Sequence, residues 1–195
     1  MLKYSLTRAA DPSVEPATLA EAKRHANVVA SDDDDFITSL IIAAREQVES
    51  DTSRALITQT WRLKLHEFFA DKFELPRPPL QSVSSIKYLD LDEAEQTLGA
   101  TNYDVDTDRE PGVIWRDEDA TWPTISDEVN AVTITFVAGY GDAASDVPAR
   151  AKHAILLLVA HWYRSREAVT IGTISKEIEL AYQRLVNGLK VGNYP

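Results

Sequence analysis

The 195-residue sequence contains no cysteine, and this absence removes several kinds of chemistry at once. Disulfides, thiolate metal sites and cysteine nucleophiles are all excluded, and a chain without cysteine fits a reducing compartment. With 44% hydrophobic and 26% charged residues, the chain can bury a sizeable core and is not disordered by composition. Its length suits one domain, so we expect a single domain over residues 1–195.

Long apolar runs are also missing. The longest, from Ala154 to Ala160, falls far short of the ~20 residues that a membrane helix needs, and Arg150 and Arg164 flank it. The opening residues, MLKYSLTRAADPSVEP, lack the apolar core of a secretory signal peptide. We therefore expect no membrane span and no secretion by that route.

Positive charge is scarce, since 20 lysines and arginines face 31 aspartates and glutamates for a net charge of −11. Four aspartates run from Asp32 to Asp35, and a second acidic region extends from Asp90 to Asp119. A protein that holds DNA through its phosphates has the opposite bias, because lysine and arginine supply that affinity. Phosphate-gripping is therefore a poor hypothesis for this chain.

Two helices are expected in residues 17–54. Thr18 and Glu21 form the Thr-x-x-Glu pattern of a capping box, which opens the first helix. The aspartate run opens the second, because carboxylates at a helix N-terminus complement the helix dipole. The apolar stripe of this second helix is expected at Phe36, Leu40, Ile41, Ala44 and Val48.

Residues 56–137 have the two-residue period of β-strands. Ile57, Gln59, Trp61, Leu63 and Leu65 point one way, and the residues between them point the other. Further strands are expected at about 83–89, 101–105, 113–115 and 132–136. Before residue 17, in contrast, two prolines indicate an irregular arm.

Two further helices are expected over residues 146–187, with Ser145 or Asp146 as the cap and Pro148 in the first turn. In the apolar stretch AILLLVAHWYRSREAV, the helical spacing predicts a buried stripe, so the stretch belongs to the core and not to a catalytic pocket. The members of the stripe are Ile155, Leu158, Val159 and Trp162. A last helix at about 175–187 ends before Gly188. Helices, then strands, then helices make the fold class α+β.

No catalytic or metal-binding constellation is visible. The four histidines, His25, His66, His153 and His161, show neither a His-Glu-x-x-His nor a Glu-x-x-His pattern. Phosphate loops, dinucleotide fingerprints and nucleophile elbows do not occur. We therefore predict no catalytic, cofactor-binding or metal-binding residues, no cofactor and no enzyme activity. The alternative is a small acidic hydrolase or nuclease that uses clustered carboxylates and a divalent metal, because the chain has 31 acidic residues, although nothing singles out one pair of them.

The sequence resembles the head–tail connector, or adaptor, proteins of long-tailed phages, prophages and gene transfer agents. The resemblance covers about residues 17–169 and is carried by these segments in order: PATLAEAKRHANV, DDDDFITSLIIAAREQVE, RALITQTWRLKL, LPRPPLQSVSSIKYLD, VTITFVAGYGD and VPARAKHAILLLVAHWYRSREAV. It implies a helical core of about four helices with a β-rich insertion between the second and third main helices.

The resemblance also implies a structural role in the virion. Such adaptors form a ring of about twelve copies under the portal, extend the DNA channel and join the head to the stopper or tail-completion protein. The expected location is the head–tail junction, after assembly in the bacterial cytoplasm. DNA is expected to pass through the channel without specific binding, and no membrane is involved.

Two sets of contact residues follow from this resemblance. The C-terminal segment 188–195 is expected to reach the portal through Leu189, Val191 and Tyr194, although a frayed terminus explains it nearly as well. Three aromatics in loop-like segments are candidates for a subunit or neck interface, with local packing as the equal alternative: Phe73, Trp115 and Trp122. We further expect the acidic strand block, about residues 75–120, to face the neck partner.

Overall fold

The computed structural model describes residues 4–165 and 176–191 and divides into two compact units. The β unit consists of Met1–Pro12 and Thr58–Gly139, and the helical unit consists of Ser13–Ile57 and Tyr140–Pro195. The described residues contain four α-helices and antiparallel strands, which confirms the α+β class. The β-rich stretch follows the second helix and precedes the third, as expected.

The helical unit contains α1 (Leu19–Ala26), α2 (Asp34–Thr52), α3 (Ala149–Arg164) and α4 (Lys176–Asn187). Its core joins side chains from all four helices and from Leu56 and Ile57. None of the helices in the described parts of the chain is long and apolar enough to cross a membrane.

The capping box of α1 is present as predicted. The Glu21 N–H donates to Thr18 Oγ1 at 3.2 Å, and the Thr18 N–H donates to Glu21 Oε2 at 2.8 Å. The helix ends at Ala26, and the cap residue Asn27 has the left-handed backbone (φ 58°) that is typical of a helix C-terminus.

The buried stripe of α2 differs by one member from the predicted stripe. Ile37 is fully buried, whereas Phe36 is 40% exposed, so the prediction for Phe36 was wrong. Ile37 lies four residues before Ile41 and therefore shares its helical face, which continues through Ala44 and Val48.

The aspartate run begins α2 in an unexpected way. Asp33 occupies the cap position without a capping hydrogen bond; its carboxylate instead accepts one from the Tyr163 hydroxyl at 2.7 Å. Asp34 pairs with the Lys23 ammonium at 2.5 Å. Two of these carboxylates therefore tie α2 to α1 and α3.

The start of α3 also corrects the sequence prediction. Pro148 is the cap residue, and Ser145 and Asp146 belong to a preceding 3-10 turn, Ala144–Asp146. Asp146 accepts a hydrogen bond from the Ala143 N–H and so caps that turn instead. The predicted stripe of α3 is confirmed, since Ile155, Leu158 and Val159 are buried and Trp162 packs half-buried against the core.

The β unit contains a five-stranded sheet, sheet A, with the strand order β1-β2-β8-β4-β5. In that order the strands are Tyr4–Ala10, Gln59–Leu65, Val132–Ala138, Leu80–Leu89 and Glu95–Thr97. A three-stranded sheet, sheet B, has the order β3-β7-β6, with strands Lys72–Glu74, Val113–Arg116 and Tyr103–Asp106. All of these pairings are antiparallel.

The alternation predicted for β2 and β8 is confirmed. The buried residues Trp61, Leu63 and Leu65 lie opposite Phe136, Ile134 and Val132 respectively. Directly paired apolar side chains on one face stabilise the two central strands.

The N-terminal arm contains a strand before its prolines, so the prediction of an irregular arm holds only for residues 11–17. Residues Tyr4–Ala10 pair with β2 in a register that places Leu6 opposite Leu63. Most side chains of β1 are exposed, so its own sequence carries only a weak apolar alternation. Its partner strand lies more than fifty residues away, and that pairing is invisible to local pattern.

Candidate interaction surfaces

Across residues 4–165 and 176–191, no three histidine, aspartate or glutamate side chains come together in a way that could hold a metal ion. His25, His66 and His153 are exposed and lie on α1, after β2 and on α3 respectively. A depression beside β2, β4 and β8, lined in part by Lys64, Lys87 and Glu95, measures about 150 Å³. That volume is below the ~300–1,000 Å³ of typical ligand pockets.

The C-terminal segment is joined to the helical core. Leu189 is only 7% exposed and belongs to that core, and the Arg54 guanidinium donates to its carbonyl oxygen. Val191 is half-buried, and Tyr194 lies outside the described residues. Of the three predicted portal anchors, Leu189 therefore has its side chain buried in the core of this chain.

A buried hydroxyl joins α4 to α2. Tyr182 is 2% exposed, and its hydroxyl donates to Asp51 Oδ2 at 2.6 Å. Burial, followed by the hydrogen bond to Asp51, raises the pKa of Tyr182, so the phenol keeps its proton. Together with Val186, this residue holds the last described helix in the core.

A second buried polar group lies on α2, where Arg45 is 3% exposed. Its guanidinium contacts Glu15 at 2.9 Å and Glu49 at 2.8 Å. Burial would lower the pKa of Arg45, but the two carboxylates outweigh it and raise that pKa. Glu49 also accepts the Leu56 N–H at 2.9 Å, so the network holds the chain where it leaves α2.

The three aromatics that were predicted as interface residues all belong to the β unit. Phe73 and Trp115 belong to the adjacent strands β3 and β7, and all three side chains are half-buried. Trp122 stacks on Phe68 with ring centroids 4.8 Å apart, and its indole N–H donates to the Phe69 carbonyl at 2.6 Å.

Phe73 and Trp122 therefore have extensive partners within the unit. Phe73 contacts the rings of Tyr4 and Phe69. Trp115, in contrast, is covered by the Lys72 ammonium, which lies 5.2 Å from its ring centre. Among the three predicted interface aromatics, Trp115 is thus the one whose ring is covered by an exposed lysine side chain.

The turn between β4 and β5 is ordered by one carboxylate. Asp90 accepts hydrogen bonds from the N–H groups of Asp92 and Ala94, both at 3.0 Å, and from the Gln96 amide at 2.7 Å. The Gln96 bond and the Ala94 bond lower the pKa of Asp90, which stays ionised at neutral pH. This turn presents Leu91 to solvent, with 71% of the side chain exposed.

Charge is distributed unevenly between the two units. The β unit has 17 acidic and nine basic residues, a net charge of −8, and the helical unit has 14 and 11, a net charge of −3. The excess of negative charge therefore belongs mainly to the β unit. Such a surface repels polyanions and favours partners with a basic surface.

These features define the chain as an α+β protein with a four-helix unit and a unit of antiparallel strands in its described parts. Residues 16–103 match the family described as phage gp6-like head-tail connector protein. The resemblance to head–tail connectors is thereby confirmed for this part of the chain. No protein of curated function matches the sequence.

Three solved structures have the same fold over nearly the whole chain. A chain in the neck of an empty gene transfer agent particle, computed with C6 symmetry, is 22% identical, with a TM-score of 0.80 and coverage of 98% of this chain and 97% of that chain. A chain in the virion of a native gene transfer agent particle is 22% identical, with a TM-score of 0.78 and 97% coverage of both. A chain in the neck of a native particle, computed with C12 symmetry, is 23% identical, with a TM-score of 0.75 and coverage of 98% and 97%.

Proposed function

We propose that this chain is a structural protein of a virion neck, a head–tail connector that acts by assembly and not by catalysis. The observation that carries this proposal is the fold match over 98% of the chain to a protein in the neck of a gene transfer agent particle. The family match over residues 16–103 supports it independently.

The proposed assembly is a ring. The neck structures that share this fold were computed with C6 and C12 symmetry, and a ring of about twelve copies under the portal is the arrangement we propose here. In that position the chain extends the DNA channel and joins the head to the stopper or tail-completion protein. Its place in the particle is the head–tail junction.

The charge suits a conduit. Lysines and arginines that neutralise phosphates retain DNA by counterion release, so a channel that must let DNA slide needs few of them. A net charge of −11 per copy favours passage without specific binding. We propose that the acidic strand block, residues 75–120, faces the neck partner.

The portal contact is proposed for the end of the C-terminal segment. Because Leu189 is committed to the core, Val191 and Tyr194 are the better candidates for residues that reach a groove of the portal. In the β unit, Trp115 is the better candidate for a contact with a neighbour than Phe73 or Trp122, whose rings pack against other aromatics.

The test is electron microscopy of particles from a producing strain that lacks this gene. We expect filled heads without tails, because the connection between head and tail is missing. Complementation with Tyr194→Ala should restore fewer tailed particles than the wild-type gene, whereas Leu180→Ala, a change at an exposed leucine of α4, should restore them fully. Normal tailed particles in the deletion strain would contradict the proposed function.

A further inference from the structure

Two large aliphatic side chains are exposed at one end of sheet A. Leu91 is 71% exposed and Val129 is 75% exposed, which places both among the three most exposed large hydrophobic residues of the described chain. Leu91 lies in the turn after β4, and Val129 lies in the loop before β8. An aliphatic side chain that stays exposed forgoes the free energy of its burial, so two of them at one end of the sheet call for a reason.

Backbone hydrogen bonds hold the two segments together at this end. The Leu89 N–H donates to the Ala131 carbonyl at 2.9 Å, and the Ser126 N–H donates to the Leu89 carbonyl at 3.0 Å. The loop that carries Val129 is thus fastened to the strand end that leads to Leu91. On the other side, the bonds of Asp90 hold the turn in one conformation.

Carboxylates flank the two aliphatic residues along the chain. Asp92, Glu93, Asp127 and Glu128 are all exposed, and they lie next to Leu91 or Val129 in the chain. On the loop side, the His66 imidazole lies 4.0 Å from the Asp127 carboxylate. This negative edge repels DNA phosphates and anionic lipids, and it equally repels the same edge of a second copy.

We propose that this surface, which we call the distal patch (Leu91, Asp92, Glu93, Asp127, Glu128 and Val129), is the docking site for a different protein of the particle. That partner presents an apolar pocket for the two aliphatic side chains, and lysine or arginine residues border the pocket. Charge complementarity carries this choice, because the patch combines apolar anchors with a carboxylate rim. The proposal rests on the proposed neck function and assigns a surface to it.

The first test removes the anchors. The variant Leu91→Ser with Val129→Ser should reduce the yield of tailed particles at least about tenfold, because two anchor side chains of an interface are lost. Heads from this variant should still contain the chain. The matched control is Leu180→Ser, a change at a leucine that is 63% exposed on α4, and its yield should equal that of the wild type.

The second test examines the rim. Asp92→Lys with Glu93→Lys should cause a comparable loss, whereas Asp142→Lys with Glu179→Lys changes the net charge equally at two exposed residues of the helical unit and should not. Normal tailed-particle yield from both the serine variant and the Asp92/Glu93 variant would overturn the proposal. An equal loss from the Asp142/Glu179 control would also overturn it, because overall charge would then explain the effect.

The third test identifies the occupant. Because the chain has no cysteine, Asp92→Cys provides a single attachment point for a photo-crosslinker in assembled particles. We expect a cross-link to another particle protein, within a segment that contains lysine or arginine beside apolar residues. A cross-link to a second copy of this chain or to DNA, or none in particles that contain the chain, would overturn the proposal. Particles that lack the chain altogether would overturn the neck function itself.

Discussion

At the scale of single residues, Gly112 shows how closely the start of β7 approaches β4. A Cβ atom at this position would lie 2.5 Å from both Cβ and Cδ2 of Leu80, whose side chain is 5% exposed. The carbonyl of Gly112 also accepts the Leu75 N–H at 2.8 Å. The backbone is therefore held in place on one side and crowded on the other, which leaves no room for a side chain.

We expect Gly112→Ala to lower the free energy of unfolding by about 1–3 kcal/mol, because overpacking a filled core forces side chains and backbone to shift. The measurement is the midpoint and slope of urea unfolding. Gly99→Ala is the control, since its Cβ would meet only the Asn102 amide at 3.2 Å and the Thr101 hydroxyl at 3.9 Å. If the two variants unfold alike, the close approach of Gly112 to Leu80 does not limit stability.

Leu189 is a second residue whose environment differs from the one that its sequence position suggests. From the sequence it belongs to a short, glycine-interrupted tail that looks available for a partner. The structure places Leu189 in the core. The preceding residue, Gly188, lies against the Arg150 guanidinium. Deleting residues 188–195 therefore removes core contacts as well as the tail, and Tyr194→Ala is the sharper variant for testing portal contact.

Among the secondary-structure elements, α1 is a helix whose start is determined by the residues of its own first turn. The N–H groups at its start are satisfied by the reciprocal bonds of Thr18 and Glu21, and Lys152 of α3 approaches Glu21 at 3.4 Å. The Thr18 backbone N–H, and then its hydroxyl, lower the pKa of Glu21 from its usual value of about 4.5. The ionised form of Glu21 is thus the one that the fold prefers.

A pH dependence follows for Glu21→Ala. The folded-state pKa of Glu21 is lowered, so its contribution to stability is present above pH 4.5 and is lost as the pH falls through the folded-state pKa. At pH 7 we expect the variant to be less stable by about 0.5–2 kcal/mol, the range for a lost helix cap. Thermal unfolding at pH 7 and at pH 3 should show this difference shrinking at the lower pH.

The control for this experiment is Glu67→Ala, a change at an exposed glutamate after β2. It should alter the melting temperature little at either pH. A Glu21→Ala difference that stays constant from pH 7 to pH 3 would mean that the charge of Glu21 does not support α1.

The strand β1 illustrates the opposite case among elements. Its sequence, YSLTRAA, has one large aliphatic residue, and five of its seven side chains are exposed. It forms a strand because β2 offers hydrogen-bonding partners and because Leu6 meets Leu63. Such an element depends on tertiary pairing, and its local propensity alone would leave it irregular.

At the scale of the whole molecule, charge is the dominant property. Both units are acidic, and the helical unit uses several of its carboxylates internally, in pairs with Lys23, Arg45 and Lys152. The β unit displays most of its carboxylates in turns. In the proposed ring, such subunits would present DNA with a repulsive surface, which favours sliding without arrest.

We therefore expect the purified chain not to bind double-stranded DNA. Fluorescence anisotropy with a labelled duplex in about 50 mM salt should show no saturable binding up to about 100 μM protein, the weak end of the range for non-specific DNA binding. A duplex mixed with a basic DNA-binding protein serves as the positive control. Saturable binding that weakens as salt rises would contradict the role of an inert conduit.

Features that depend on neighbours along the chain could be predicted without the structure. Four features were predicted because each rests on contacts within one element or on a regular period. They are the capping box of α1, the stripe of α3, the alternation of β2 and β8, and the α+β class. The absence of cysteine and the excess of negative charge likewise needed no structure. The resemblance to head–tail connectors came from the order of local segments, which is also a property of the sequence.

Features that join distant residues became known from the three-dimensional structure alone. It paired β1 with β2, put Ile37 in the core in place of Phe36, buried Leu189 and fastened the Val129 loop beside the strand end that carries Leu91. Each of these depends on which surfaces meet, and apolar burial does not depend on the direction of the chain or on sequence separation. The candidate interaction surfaces are formed by residues that are distant in the sequence. The local sequence pattern therefore predicted only some of the residues in these surfaces.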